Sequence, residues 1–130
     1  MRILVFGLPG SGKTTFARQL SAGHAYFNAD EVRKMFNDWD FSPEGRTRQA
    51  QRMGCLSSLV DGPSIIDFIC PYDEDRHEYD VKVWMNTIKK GRFDDTNQMF
   101  EKPNHCTFEI KNYNYENVLK DIKQKIKNLS

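Results

Sequence analysis

Eight residues near the start of the chain, Gly7-Leu8-Pro9-Gly10-Ser11-Gly12-Lys13-Thr14, match the pattern G-x-x-x-x-G-K-[ST] in full. An apolar run, Ile3–Phe6, enters the motif, and Lys13–Leu20 leaves it with Phe16, Ala17 and Leu20 at helical spacing. The glycines let the backbone curl so that successive N–H groups point at phosphate oxygens, and the helix N-terminus adds partial positive charge. A lysine at position 13 reaches the β- and γ-phosphates, and the Thr14 hydroxyl binds magnesium. The pattern therefore predicts a site for ATP and Mg2+, with Gly7, Leu8, Pro9, Gly10, Ser11, Gly12, Lys13, Thr14 and Thr15 as the nucleotide-binding loop. The competing reading is a chance glycine-rich turn, which the strand before and the helix after both disfavour.

Two carboxylates are placed to complete such a site. Asn28-Ala29-Asp30-Glu31-Val32-Arg33 follows the second apolar run, where ligands of open α/β sheets bind. Asp30 can accept a hydroxyl proton or orient an attacking oxygen, a role typically worth ~10²–10⁴-fold. Its bland alternative is a helix cap or first-turn acid. Arg33, one turn on, can fork onto a phosphate or sulfate. Asp67, in Ile65-Ile66-Asp67-Phe68, reads either as an acid of the magnesium shell or as a strand-end carboxylate bonded to backbone. The catalytic set expected is Lys13, Asp30 and Asp67, with Thr14 and Asp67 toward the metal.

Five strands are needed to hold these groups. They are expected at Ile3–Phe6, Ala25–Asn28, Ser64–Ile69, Val81–Met85 and Thr107–Ile110, alternating with helices at Lys13–Leu20, Glu31–Phe36, Pro43 to about Val60, and Tyr115–Leu129. Ser42-Pro43-Glu44 has the form of a helix start, with serine as cap and proline at the first helical position. Asn86–Pro103 is polar and weakly patterned and is expected to be mobile. Strands alternating with helices predict a three-layer α/β/α domain of the P-loop NTPase type with a five-stranded parallel sheet, spanning residues 1–130 as one domain.

Composition narrows the partners. The formal net charge of +1 excludes a basic footprint for bulk nucleic acid. Cys55, Cys70 and Cys106 are odd in number and unpaired in spacing, as in a reducing compartment. The apolar N-terminal run is too short for a signal peptide or a membrane span, so no membrane partner and a cytoplasmic location are expected. The chain has no Asn/Thr-Lys-x-Asp element and no room for a GTPase base-reading segment beside five strands, which favours a kinase.

Blocks in order along residues 2–129 carry a resemblance. Gly7–Thr15, Asp30–Arg33, Phe41-Ser42-Pro43-Glu44-Gly45-Arg46, Phe68-Ile69-Cys70-Pro71-Tyr72 with Asp75-Arg76, and Phe93 with Phe100-Glu101-Lys102-Pro103 resemble adenylyl-sulfate kinase. The resemblance implies transfer of the ATP γ-phosphate to the ribose 3′-hydroxyl of adenosine 5′-phosphosulfate, a small-molecule partner, and possible pairing as a homodimer. It implies that Phe41 and Phe93 sandwich the substrate adenine, that Arg33 and Arg46 meet the phosphosulfate, and that Ile69, Cys70 and Pro71 edge the pocket. Gln49 and Lys90 fall at further substrate-side positions. Read alone, Phe41 and Phe93 could be core residues, Arg46 a solvated helix residue, and Lys89-Lys90 a solvated charge pair.

The chain departs from the family at five places, two of them being Gln49 for the family's helix asparagine and Cys70 for its serine before Pro-Tyr. The family's Asp-Gly-Asp-Asn is Asn28-Ala29-Asp30-Glu31 here, so its first aspartate is an asparagine. Where the family has Ser or Ala, this chain has Asp67. A long basic lid is replaced by the short connection Asn86–Gly91, leaving Arg76, Lys89, Lys90 or Arg92 as replacement cations. Two other functions fit the same residues. Asn28-x-Asp30-x-x-Arg33 also resembles polynucleotide 5′-hydroxyl kinases, and the lost lid suits a nucleotide-binding module without turnover.

Overall fold

The run Ile3-Leu4-Val5-Phe6 contains no polar residue, and in the computed structural model, which describes residues 1–129, all four are fully buried. They lie in β1 (Arg2–Phe6), the middle strand of a sheet ordered β2-β3-β1-β4-β5. The other strands are β2 (Ala25–Asn28), β3 (Ser64–Asp67), β4 (Val81–Met85) and β5 (Phe108–Ile110), and every pairing is parallel. Parallel neighbours need crossover connections, which cover the sheet on both faces.

Alternate side chains of β1 therefore feed two cores. Ile3 and Val5 join Phe16, Leu20, Ile65, Ile122 and Ile126 beneath α1 (Lys13–Ser21) and α5 (Glu116–Asn128). Leu4 and Phe6 join Val32, Met53, Ile66 and Phe68 beneath α2 (Ala29–Phe36) and α3 (Pro43–Ser58). The architecture is the expected three-layer α/β/α with five parallel strands. The start of α3 also matches: Ser42 Oγ accepts from Gly45 N at 3.2 Å, with Pro43 in the first turn. No helix among the described residues is long and apolar enough to cross a membrane.

Two segments differ from expectation. The third strand ends at Asp67 rather than Ile69. Phe68 N still bonds Val5 O at 3.1 Å, but Cys70 takes a left-handed φ of 47° and turns the chain out of the sheet. Asn86–Pro103, read as polar and unpatterned, contains α4 (Asp94–Met99). Two acids in its first turn complement the helix dipole, Thr96 is buried, and Phe100 behind it stacks on Phe6 at 6.4 Å. One buried residue in six leaves no periodic signal to read.

Arg76 anchors that segment. The guanidinium is 1% exposed, lying 4.5 Å from the Phe6 ring centre and 4.9 Å from that of Phe100. Its Nε donates to Cys70 O at 2.9 Å, one terminal nitrogen to Pro71 O and Glu101 O at 3.1 and 2.8 Å, and the other to Asp73 Oδ1 at 3.2 Å. This corrects the expectation that Arg76 could replace a lid cation, because its donors are consumed inside the protein. Arg76→Met should lower unfolding stability by about 3–5 kcal/mol, the cost of stranding buried partners of a charge. Arg76→Lys should recover little, since an ammonium cannot span the fork. Urea denaturation measures both, and an unchanged midpoint in the methionine variant would refute the anchoring role.

Candidate active site

The loop at the carboxyl end of β1 is built as its composition demands. Gly10 and Gly12 sit at φ of 87° and 92°, and Gly12 opens α1 with its carbonyl accepting from Phe16 N at 3.1 Å. Ser11 is fully buried, and Thr87 Oγ1 donates to its carbonyl at 2.7 Å, fixing the loop from the segment after β4. Lys13 is half-buried, with Nζ 3.4 Å from Leu8 O. Burial pulls its ammonium below the ordinary lysine value; Asp67 and Asp30 oppose that shift and Arg92 adds to it.

Asp67 stands directly beneath the loop, 2% exposed. Its Oδ2 accepts three bonds: from Thr14 Oγ1 at 2.7 Å, Tyr26 Oη at 2.7 Å and Asn28 Nδ2 at 2.9 Å. Asn28 is its register partner on β2. The same asparagine caps α2 through Oδ1, which accepts from Glu31 N at 3.1 Å. Asp30 is therefore not the cap; it is exposed in the first turn and faces the cavity. Burial and the Asp67 bond push the Tyr26 phenol up, so it stays a neutral donor.

From this floor a cavity of about 580 Å³ extends toward α3 and α4. Pro9, Gly10, Lys13, Thr14, Asp30 and Asp67 line one end; Arg33, Phe41, Arg46, Ile69, Pro71 and Phe93 line the other. Phe41 and Phe93 are 44% and 55% exposed, so they are cavity walls and not core. Arg33 lies 4.3 Å from the Phe41 ring centre and donates from one terminal nitrogen to Asp38 O and Asp40 O at 2.8 and 3.2 Å. Arg46 is 4% exposed, which removes the solvated reading. Its Nε donates to Phe41 O at 2.9 Å and a terminal nitrogen to Thr96 Oγ1 at 3.2 Å, with Asp95 Oδ2 at 3.6 Å.

Three of the expected substrate-side residues lie away from the cavity lining. Gln49 is fully buried; its Nε2 donates to Ala29 O at 2.9 Å, tying α3 to α2, and its Oε1 accepts from Arg52 within α3 at 2.9 Å, so both ends of the amide are spent inside the protein. Cys70 is fully buried in the second core by its left-handed turn, and that burial pushes its thiol up. Lys90 is exposed outside the cavity, as is Lys89. Conversely, Trp39, Phe68, Asp95 and Thr96 line the cavity without having been singled out as site residues. Trp39, half-exposed in the structure between Asp38 and Asp40, carried no sequence signal for its facing.

Residues 1–93 match the family model described as adenylylsulphate kinase. The chain belongs to the adenylylsulphate kinase family. The match runs from β1 through the cavity wall at Phe93, while α4, β5 and α5 lie beyond it. No curated protein matches the chain in sequence. Among solved structures, the APS kinase of Mycobacterium tuberculosis in complex with AMPPNP and APS is 18% identical, with a TM-score of 0.71, 98% of this chain and 95% of that one being covered. The hexameric APS kinase of Thiobacillus denitrificans is 21% identical with a TM-score of 0.71, over 98% of this chain and 29% of that one. A shikimate kinase from Aquifex aeolicus, 17% identical, has a TM-score of 0.65 and coverage of 99% and 98%. These structures share the fold, and family membership makes this adenylylsulphate kinase relative a P-loop kinase.

The Asn28–Asp67 pair generates a test. Asn28→Asp keeps a competent helix cap but sets a second carboxylate against Asp67 and removes a donor. Repulsion raises a carboxyl pKa in the folded state, so the loss is present at neutral pH and fades as pH falls and the pair takes up a proton. The variant should melt below the parent at pH 7, by about 1–3 kcal/mol, with the gap narrowing toward pH 4. A pH-independent gap in thermal melting would remove the electrostatic explanation.

Proposed function

We propose that this chain transfers the γ-phosphate of MgATP to the ribose 3′-hydroxyl of adenosine 5′-phosphosulfate, giving 3′-phosphoadenosine 5′-phosphosulfate. The observation that carries the reading is the pairing of two exposed rings, Phe41 and Phe93, with two guanidiniums, Arg33 and Arg46, in one cavity with Lys13. Aromatic walls suit an adenine, and guanidiniums beside them suit an anionic tail. Family membership and the relative solved with AMPPNP and APS support the same substrates.

The residues divide the chemistry. Loop N–H groups and Lys13 bind the phosphates and hold them in line with the acceptor oxygen. That oxygen forms a bond to the γ-phosphorus as the bond to the ADP oxygen breaks. Asp30, exposed in the cavity and hydrogen-bonded by no side chain among the described residues, takes the hydroxyl proton and passes it to solvent. Asp67, saturated at Oδ2, suits the metal shell better than proton transfer. No cluster of three or more metal-ligating side chains occurs among the described residues. That suits Mg2+, which typically takes one or two carboxylates and completes its shell with substrate phosphates and water. Thr14 and Asp67 would hold it, and it would neutralise charge on the β- and γ-phosphate oxygens. Three free cysteines support a cytoplasmic enzyme, and the hexameric relative supports self-association, proposed here as a homodimer.

ADP release with MgATP should be stimulated by adenosine 5′-phosphosulfate, with a 3′-phosphorylated product, and not by a 5′-hydroxyl oligonucleotide. Silence with the first and release with the second would transfer the enzyme to the polynucleotide-kinase reading; silence with both would leave a binding module. Lys13→Ala should abolish turnover. Phe41→Ala and Phe93→Ala should each raise the acceptor KM by roughly 5- to 150-fold, the equivalent of ~1–3 kcal/mol of base stacking, with the ATP KM unmoved. Near-normal turnover in Asp30→Asn would dismiss Asp30 as the base.

A further inference from the structure

We infer that Arg92 is a catalytic arginine held against the phosphate-binding loop by a fixed clasp, its guanidinium binding the terminal phosphate of ATP. The inference rests on the P-loop kinase reading but not on the identity of the acceptor.

The first observation is position. Arg92 lines the cavity together with Pro9, Gly10 and Lys13. The backbone beside it is pressed onto the loop: a Cβ on Gly91 would lie 3.1 Å from both the Pro9 carbonyl oxygen and the Pro9 ring. The second is pairing. Among the described residues no carboxylate forms an ion pair with Arg92, and its one ring contact is with Phe93, at 5.9 Å. An exposed arginine is ordinarily just solvated. This one shares a cavity with the Lys13 ammonium, whose charge burial disfavours, Asp67 and Asp30 support, and Arg92 opposes. A polyanion entering there relieves the repulsion.

The third observation is how the segment is held. Gly91 N donates to Asn97 Oδ1 at 2.7 Å, and Asn97 Nδ2 returns to Gly91 O at 3.2 Å, a two-bond clasp from α4. Asn97 N in turn bonds Phe93 O at 3.0 Å, and Glu101 N bonds Pro71 O at 2.8 Å, closing α4 onto the loop after β3. Lys89 and Lys90 lie outside the cavity and Arg76 is buried in the core, so of the four candidate cations Arg92 alone stands at the phosphates' end. In the reaction Arg92 exchanges no proton. Its N–H groups stay on the γ-phosphate oxygens while the bond to the acceptor oxygen forms and the bond to ADP breaks, and Asn97 acts as a positioning residue.

Calorimetric titration of Arg92→Ala with MgAMPPNP and MgADP tests this without any acceptor. AMPPNP affinity should fall roughly 10- to 100-fold, the equivalent of charge-assisted hydrogen bonds, while ADP affinity stays unchanged. Equal losses for both nucleotides, or no loss for either, would overturn the inference. In turnover, kcat should fall by roughly 10³-fold or more, as for other transition-state arginines, with partial recovery in Arg92→Lys and rescue of the alanine variant by added guanidinium ion. Asn97→Ala should lower kcat more than it raises the ATP KM, and guanidinium should not rescue it. If AMPPNP and ADP separate as expected while adenosine 5′-phosphosulfate gives no product, the acceptor assignment fails and the role of Arg92 stands.

Discussion

A buried carboxylate organises the phosphate end of this molecule. Asp67 is almost fully excluded from water at the last position of β3, and a charge there is costly unless it is bonded. Its Oδ2 draws donors from the first turn of α1, from β2, and from the residue that caps α2. The requirement propagates outward. With a carboxylate at 67, the register partner at 28 must donate, and an asparagine does so while its carbonyl oxygen caps the helix. That cap sets the phase of α2, and the phase puts Asp30 and Arg33, three residues apart, on the cavity side. The departure at Asn28 and the appearance of Asp67 are thus one feature: the local negative charge sits on β3 instead of β2, and its neighbours are chosen to accept it.

The aromatic lip of the cavity depends on a second set of fixed groups. α2 ends at Asn37 in a left-handed conformation, and the chain must then run back across the cavity to reach α3. Arg33 holds the carbonyls of Asp38 and Asp40, while Arg48 and Arg52 hold the Asp38 carboxylate. These bonds keep the Asp38 carboxyl well below the usual carboxylate range. Surface ion pairs of this kind contribute little stability singly. Their effect here is geometric, since Trp39 and Phe41 are presented outward by a backbone bonded on both sides. Large rings left half-exposed at a bonded, concave surface are the mark of a recognition face.

The parts that could be read from the chain were those whose cause is local. The loop motif, the buried strands and the cap at Ser42 follow from adjacent residues, and the structure agrees with each except at the end of β3. Resemblance added Phe41, Phe93 and Arg46, which share one cavity with Arg33. It was less informative about facing. Gln49 and Cys70 occupy family positions, yet the Gln49 amide is spent on Ala29 and Arg52, and a left-handed turn buries Cys70. Trp39 was illegible because its direction is set by Arg33, six residues away, through backbone carbonyls. The helix Asp94–Met99 was illegible because its anchors, Arg46, Gly91 and Phe100, lie outside it.

The arginines around the cavity can be ordered by how much of their hydrogen bonding the protein itself consumes. Arg76 uses Nε and both terminal nitrogens on protein acceptors. Arg46 uses two nitrogens, Arg33 one, and among the described residues no hydrogen bond to protein occupies Arg92. The order follows position, from the core beneath Phe6 to the edge of the phosphate-binding loop. A guanidinium can hold the fold and meet a ligand only in proportion to the donors left over. Arg76 is therefore scaffold. Arg33 and Arg46 shape the aromatic walls with donors left over, and on the reading proposed above those donors, with the whole fork of Arg92, face the ligand. A chain with only Asn86–Gly91 after its fourth strand lacks length for a swinging basic cover. It places charge instead on a segment that two bonds from Asn97 hold against Pro9, so the cation is positioned before the nucleotide arrives.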